Sequence, residues 1–230
     1  MGFGEFNEKV TTIPYRDVSA VVSKSPPTRE LKSKKYFIAH EEVITRVMRD
    51  YTVLPVKLYT IADSASMVRD FLEMNYFSLK AMLEEMRSRE ELEVKAFWTE
   101  MKPIFGEIFN EHREIEERKQ RLASQPLEKT HQQRLEIGEL VDKALELKRR
   151  KEGEEVLNFL IGNCVDYRAN RIYTESMVLN GVFLVEKAQK PEFDAKVDML
   201  SEHYRRRMKF KYMGPVPPFN FVEVKPRWKK

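Results

Sequence analysis

Met177-Val178-Leu179-Asn180-Gly181-Val182-Phe183-Leu184-Val185 (MVLNGVFLV) is apolar at nearly every position. A strand with one solvated face alternates apolar and polar residues, whereas an unbroken apolar run is covered on both faces. This stretch therefore predicts a central strand of a sheet. Downstream, Pro191 opens a predicted helix whose inner face is Phe193, Val197, Leu200 and Tyr204. Met208, Phe210 and Tyr212 then alternate with Lys209 and Lys211, as in a half-exposed strand. The chain closes with GPVPPFNFVEVKPRWKK, whose four prolines forbid a regular helix. An extended tail is expected there, laying Phe219, Phe221 and Val222 onto a groove. Pro215, Pro217 and Pro218 lower the entropy of the free tail and so the ordering cost of docking it.

Upstream of the central strand the pattern is helical. Ile137, Leu140, Val141, Ala144 and Leu145 share one face of a helix predicted over residues 130–152. Gly153 is expected to break it, with a short helix over 154–160 and a weak strand over 164–172 beyond. Residues 102–122 are charged, with sparse apolar positions, and Ser124-Gln125-Pro126 ends them. These helices suggest an antiparallel hairpin.

The first third alternates. Residues 18–22 (VSAVV) form a β-branched run that stops at Ser25-Pro26-Pro27. After a polar linker, residues 40–50 place Val43, Ile44, Val47 and Met48 on one helical face. Residues 52–60 (TVLPVKLYT) read as a strand in which Pro55 marks an edge or bulge. A helix capped at Asp63-Ser64 continues through Met86, and residues 91–98 alternate as a half-buried strand with Leu92, Val94, Ala96 and Trp98 inward. The expected fold class is α+β. Two ferredoxin-like two-layer α/β domains, 1–100 and 163–230, are joined by a helical segment, 101–162, and followed by the Pro-rich tail.

Composition agrees with a folded protein: 42% of the 230 residues are hydrophobic and 34% charged, so the exposed faces are densely charged. No run approaches the ~20 apolar residues of a membrane helix, and the N-terminus lacks the basic flank and apolar core of a signal peptide. Together with the single Cys164, this predicts an intracellular protein without an internal disulfide. Charge is uneven. Residues 205–230 carry nine basic groups and one acid, a net +8, leaving −4 on residues 1–204 against the chain total of +4. Such an end can attract nucleic acid, anionic lipid or an acidic protein surface.

Five blocks carry a resemblance: Tyr15-Arg16-Asp17-Val18-Ser19-Ala20-Val21-Val22-Ser23; His40-Glu41-Glu42-Val43; Thr52-Val53-Leu54-Pro55-Val56; Met177-Val178-Leu179-Asn180 with Phe183-Leu184-Val185; and the segment Phe210 to Val222. In this order, with Val94 and Trp98 between them, they make the chain similar to the gas vesicle GvpL/GvpF family over nearly its whole length. The resemblance implies a role in building gas vesicles, the gas-filled protein shells that give cells buoyancy. It implies a minor vesicle component that binds the small hydrophobic shell protein and limits its aggregation during nucleation, with other gas vesicle proteins as further partners. Two departures stand out. Family members usually begin with a strand ahead of the position of Gly2, and its loss would leave a sheet edge unpaired. Lys57-Leu58-Tyr59 also stands where the family often has Arg-Phe-Gly. The candidate shell contact is Leu54, Pro55, Leu58 and Tyr59, together with the region near the N-terminus.

No residue pattern signals catalysis, and no cofactor is expected. His40, His112, His131 and His203 lack metal-ligand spacing, and His40-Glu41-Glu42 reads as a helix start with a capping histidine and exposed acids. Gly2-Phe3-Gly4 follows no strand and lacks a phosphate loop's lysine. The paired glutamates, such as Glu84-Glu85 and Glu116-Glu117, fall on polar helix faces. The alternative function is a nucleic-acid-binding ferredoxin-like module using Arg205-Arg206-Arg207 and the Lys209-to-Tyr212 strand. Strict alternation argues against it, because it sends the aromatics inward and the lysines out.

Overall fold

A computed structural model describes residues 2–3, 8–24 and 34–226. The expected strand stop at Ser25-Pro26-Pro27, the middle of the glycine-containing N-terminus and residues 227–230 of the tail lie outside the described residues. The chain divides into two units. Unit 1 comprises residues 1–92, 184–188 and 214–230; unit 2 comprises 93–183 and 189–213. These units interleave along the chain, whereas the expected blocks 1–100, 101–162 and 163–230 are contiguous.

Unit 1 begins with two short antiparallel strand pairs. β1 (Gly2–Phe3) pairs antiparallel with β2 (Glu8–Lys9), and β3 (Thr11–Tyr15) with β4 (Val18–Val22), in the register Thr11↔Val22 to Tyr15↔Val18. α1 spans Lys34–Met48, so it starts six residues before His40. His40 is therefore not a cap; the linker before it is itself partly helical. α2 (Ala65–Met74) starts where the Ser64 hydroxyl accepts the Met67 N–H at 3.2 Å. The single helix expected through Met86 is broken at Asn75, whose side-chain amide donates to the Phe71 carbonyl at 2.8 Å, and α3 (Tyr76–Arg87) follows. A side chain that bonds the backbone behind it competes with the helix ladder, which explains the break. The core of unit 1 joins Val18, Leu72, Leu79 and Met86 to Leu184, Val222 and Val224.

Unit 2 carries α4 (Met101–Glu111), α5 (Arg113–Ala123), α6 (Leu127–Leu160) and α7 (Lys190–His203). α6 runs straight through Gly153, correcting the expected break. A Cβ at Gly153 would lie 2.9 Å from the Val178 carbonyl oxygen, so the glycine permits close approach of helix to strand and does not end the helix. Phe193, Val197 and Leu200 on α7 are buried, as their spacing predicts.

Four strands form the remaining sheet: β5 (Arg89–Trp98), β6 (Asp166–Ala169), β7 (Met177–Glu186) and β8 (Met208–Val216), in the order β6-β7-β5-β8. The apolar stretch MVLNGVFLV is the body of β7, buried at every one of its residues from Met177 to Val185. The alternation of β5 is also as expected, with Leu92, Val94, Ala96 and Trp98 buried. Its place is not. The sequence predicts a sheet shared with residues 18–22 and 52–60; instead β5 lies between β7 and β8. Residues 52–60 form no strand, only a parallel bridge from Val56 to Val224. Pro55 supplies no ladder donor, and Tyr59, at φ 70°, turns the chain away while the Thr60 amide bonds back to the Lys57 carbonyl. A strand buried on both faces belongs in the interior of a sheet, and β7 lies between β6 and β5.

Candidate functional site

Two stretches singled out in the sequence, residues 52–60 and the tail, meet in unit 1. Val56 bridges to Val224, and Lys57 pairs with Glu223 at 3.3 Å. His40 Nε2 donates to the Val56 carbonyl at 2.9 Å, which fixes the tautomer, and its ring lies 6.4 Å from that of Phe219. Farther along, buried Glu91 of β5 accepts from the Asn220 backbone amide at 3.1 Å and side-chain amide at 2.6 Å. These bonds hold the tail at its middle.

The candidate contact residues divide by exposure. Leu54 packs against the unit 1 core and Pro55 is buried, while Leu58 is half-buried and Tyr59 is exposed. Within this group Leu54 and Leu58, both half-buried, and exposed Tyr59 keep apolar surface accessible, while Pro55 does not. In the tail, Pro218 and Val222 are buried, Pro217 and Phe221 half-buried, Pro215 exposed, and Phe219 is 38% exposed. Between the stretches is a cleft of about 70 Å³ lined by Tyr51, Val53, Glu90, Pro215 and Pro218 among others. A cofactor pocket occupies several hundred Å³, so this cleft is several-fold smaller than one.

Unit 2 holds a charged network that sequence reading missed. Arg207 donates from Nη1 and Nη2 to both carboxylate oxygens of Glu107, at 2.7 and 2.8 Å. It also donates to both oxygens of Glu152, at 3.0 and 2.6 Å. The Trp98 indole N–H adds a third donor to Glu152 at 2.9 Å. Lys148 bridges Glu107 and Glu111 at 3.0 and 2.7 Å. Hydrogen bonding by Arg207 first, and by Lys148 next, holds the Glu107 carboxyl at a pKa of about 2 against burial, which opposes the shift. Arg207 is correspondingly raised, chiefly by Glu107 and then Glu152. The available signal was the i,i+4 pairing of Glu107 with Glu111 and of Lys148 with Glu152, each pair on one helical face. Nothing in the sequence places Arg207 between them.

Cys164 and His203 have structural partners. The Cys164 thiol is pushed up to about 11 by burial and by the Asp166 charge, and it donates to the Ile161 carbonyl; a thiol is a poor nucleophile in that state. The His203 ring packs edge-on to Tyr204. Among the described residues, no group of three His, Cys, Asp or Glu side chains is placed to hold a metal ion. Nor is any described helix long and apolar enough to cross a membrane. At the basic end, Phe210 and Tyr212 are half-buried against Tyr204 and Phe193, while Lys209 and Lys211 are exposed.

Comparison with known proteins converges on one family. The family model described as gas vesicle synthesis protein GvpL/GvpF matches residues 2–223. Gas vesicle protein F of Microcystis aeruginosa is 22% identical over 226 residues, covering 95% of this chain and 89% of that protein. Gas vesicle protein F1 of Halobacterium salinarum is 23% identical over 220 residues, covering 94% and 83%. In fold, the crystal structure of GvpF from Anabaena sp. PCC7120 superposes with a TM-score of 0.78 at 19% identity, over 98% of this chain and 92% of that one. The GvpF crystal structure from Microcystis aeruginosa gives 0.73 at 20% identity, over 96% and 91%. The mixed helix-and-sheet architecture is thus that of GvpF structures, and the chain belongs to the GvpL/GvpF family of gas vesicle synthesis proteins.

Proposed function

We propose that this chain is a non-enzymatic assembly protein of gas vesicles, which binds the hydrophobic shell subunit and limits its aggregation while a vesicle nucleates. The observation that carries the reading is the family match across residues 2–223. A very apolar subunit must be shielded from water until it joins a growing wall, and a partner can do this by burying its apolar area. The protein acts inside the cell, at the gas vesicle, with other gas vesicle proteins as further partners and no cofactor. Leu54, Leu58 and Tyr59 supply the accessible apolar surface of the proposed contact at residues 54–59. The strand order of the larger sheet supports a ferredoxin-like reading of that one sheet, in place of two separate ferredoxin-like domains. It takes β5 from the expected first domain and β6, β7 and β8 from the expected last one. Taking β5, β6, β7 and β8 as first to fourth, the order is second-third-first-fourth, with helices after the first and third.

Co-expression with the shell subunit, followed by affinity capture and a sedimentation assay of its solubility, tests this function. The subunit should co-purify and stay in the supernatant longer. Leu58→Asp and Tyr59→Asp should weaken capture without unfolding the protein. A subunit that neither co-purifies nor gains solubility removes the shielding role. Nucleic-acid binding is the alternative, and it predicts retention on single-stranded DNA that falls steeply with salt. The inward Phe210 and Tyr212, and Arg207 bound to two glutamates, leave that reading little surface.

A further inference from the structure

The β3–β4 hairpin turns through Arg16 and Asp17, with Arg16 in the left-handed region at φ 53°. Two bonds fasten the turn to α3: the Tyr76 hydroxyl donates to Asp17 Oδ1 at 2.7 Å, and Lys80 Nζ to Asp17 Oδ2 at 2.6 Å. This sets three aromatic rings side by side. Tyr76 meets Tyr15 edge-on at 5.8 Å and Phe77 at 5.3 Å. The Arg16 guanidinium lies 4.8 Å from the Tyr76 ring centre and 5.5 Å from that of Tyr15. Phe77 is 80% exposed and Met74 47%.

A solvent-exposed phenylalanine in a rigid aromatic cluster costs solubility without adding to the core. Tyrosine, arginine, phenylalanine and methionine are also the side chains enriched where proteins meet. The charges are uneven. Asp17 and Glu84 are both paired with Lys80, whereas Arg16 makes its described contacts with ring faces alone. Its position over the two rings leaves its N–H donors for a planar anion, which among protein groups is a carboxylate.

We propose that this cluster is a protein-docking surface for a segment of the shell subunit that presents a carboxylate beside a large apolar side chain. The carboxylate takes the Arg16 fork and the apolar group lies on Phe77 and Met74. The identity of the partner, and nothing else here, rests on the function proposed above. A symmetric contact with a second copy centred on Arg16 is disfavoured by charge, because on the two-fold axis it would bring two Arg16 side chains together.

The test has two arms. In the first, shell-subunit capture is measured for the wild type, Arg16→Glu, Arg16→Lys and Phe77→Ser, with melting temperatures as the folding control. Capture should fall about tenfold for Arg16→Glu and Phe77→Ser, as for side chains central to an interface. Arg16→Lys should lose less, and melting should not change. In the second arm, the Arg16 Nε–Hε NMR resonance is titrated with a synthetic amphipathic peptide containing leucine and glutamate, and with its glutamine-for-glutamate counterpart. Only the glutamate peptide should shift it. Variants that capture like the wild type, or an Arg16 resonance blind to both peptides or equally shifted by them, overturn the surface. So does a wild-type dimer that Arg16→Glu dissociates in the ultracentrifuge. If the glutamate peptide binds but the wild type captures no shell subunit, the surface stands and its assigned partner falls.

Discussion

Glycine inside a helix ordinarily costs about 1 kcal/mol relative to alanine, and α6 contains two, Gly138 and Gly153, whose surroundings differ. A Cβ at Gly138 meets nothing within 4 Å, whereas at Gly153 it meets the Val178 carbonyl oxygen at 2.9 Å. Gly138→Ala should therefore stabilise by roughly 0.5–1 kcal/mol. Gly153→Ala should destabilise by about 1–3 kcal/mol, since neither backbone can yield cheaply. Urea denaturation of the two variants checks both signs, and equal effects would refute the close-packing account. Glu107 makes a pH prediction. Its folded pKa of about 2 lies below the ordinary 4.5. Its stabilising contribution is thus present above about pH 4.5 and is lost as pH falls towards 2. Glu107→Gln should be less stable than wild type at pH 6, with the deficit shrinking between pH 4.5 and 2. The side chain is 37% exposed, so solvent screening keeps the deficit modest. A pH-independent deficit would show that packing, not charge, is what the substitution removes.

Among the elements, the tail shows most clearly how local reading and tertiary packing divide the work. Proline content and the Phe219–Phe221 spacing mark the segment as extended and apolar, but not what it covers. In the structure Val222 and Val224 join the unit 1 core and Asn220 is clamped by Glu91. Deleting residues 217–230 should cost roughly 3–6 kcal/mol, the burial of the two side chains Val222 and Val224. It should lower the urea midpoint sharply, and an unchanged midpoint would make the tail a free arm. Residues 52–60 teach the converse. Their β-branched, apolar composition reads as a strand, yet a proline without a donor and a left-handed Tyr59 leave a single bridge. Local propensity was outweighed because pairing needs a run of consecutive donors on both chains.

For the molecule as a whole, the decisive arrangement is the sheet order β6-β7-β5-β8. It predicts a hydrogen-exchange ranking: amides of β5 and β7, the inner strands, should exchange slowest, and those of β6, a four-residue edge with every side chain exposed, fastest. Rapid exchange throughout β5 would overturn that order. The sequence by itself determined β7 as a buried strand, the alternation of β5 and β8, the inner faces of α6 and α7 though not every helix end, and the family. Each of these follows from periodicity, proline chemistry or residue order within one stretch of chain. Only the tertiary structure decided that β5 pairs with strands some eighty or more residues later, that Arg207 lies between Glu107 and Glu152, and that Arg16 stacks on Tyr76. Strand pairing, charge networks and ring stacking depend on which distant surfaces are complementary, and a local pattern is compatible with many such partners.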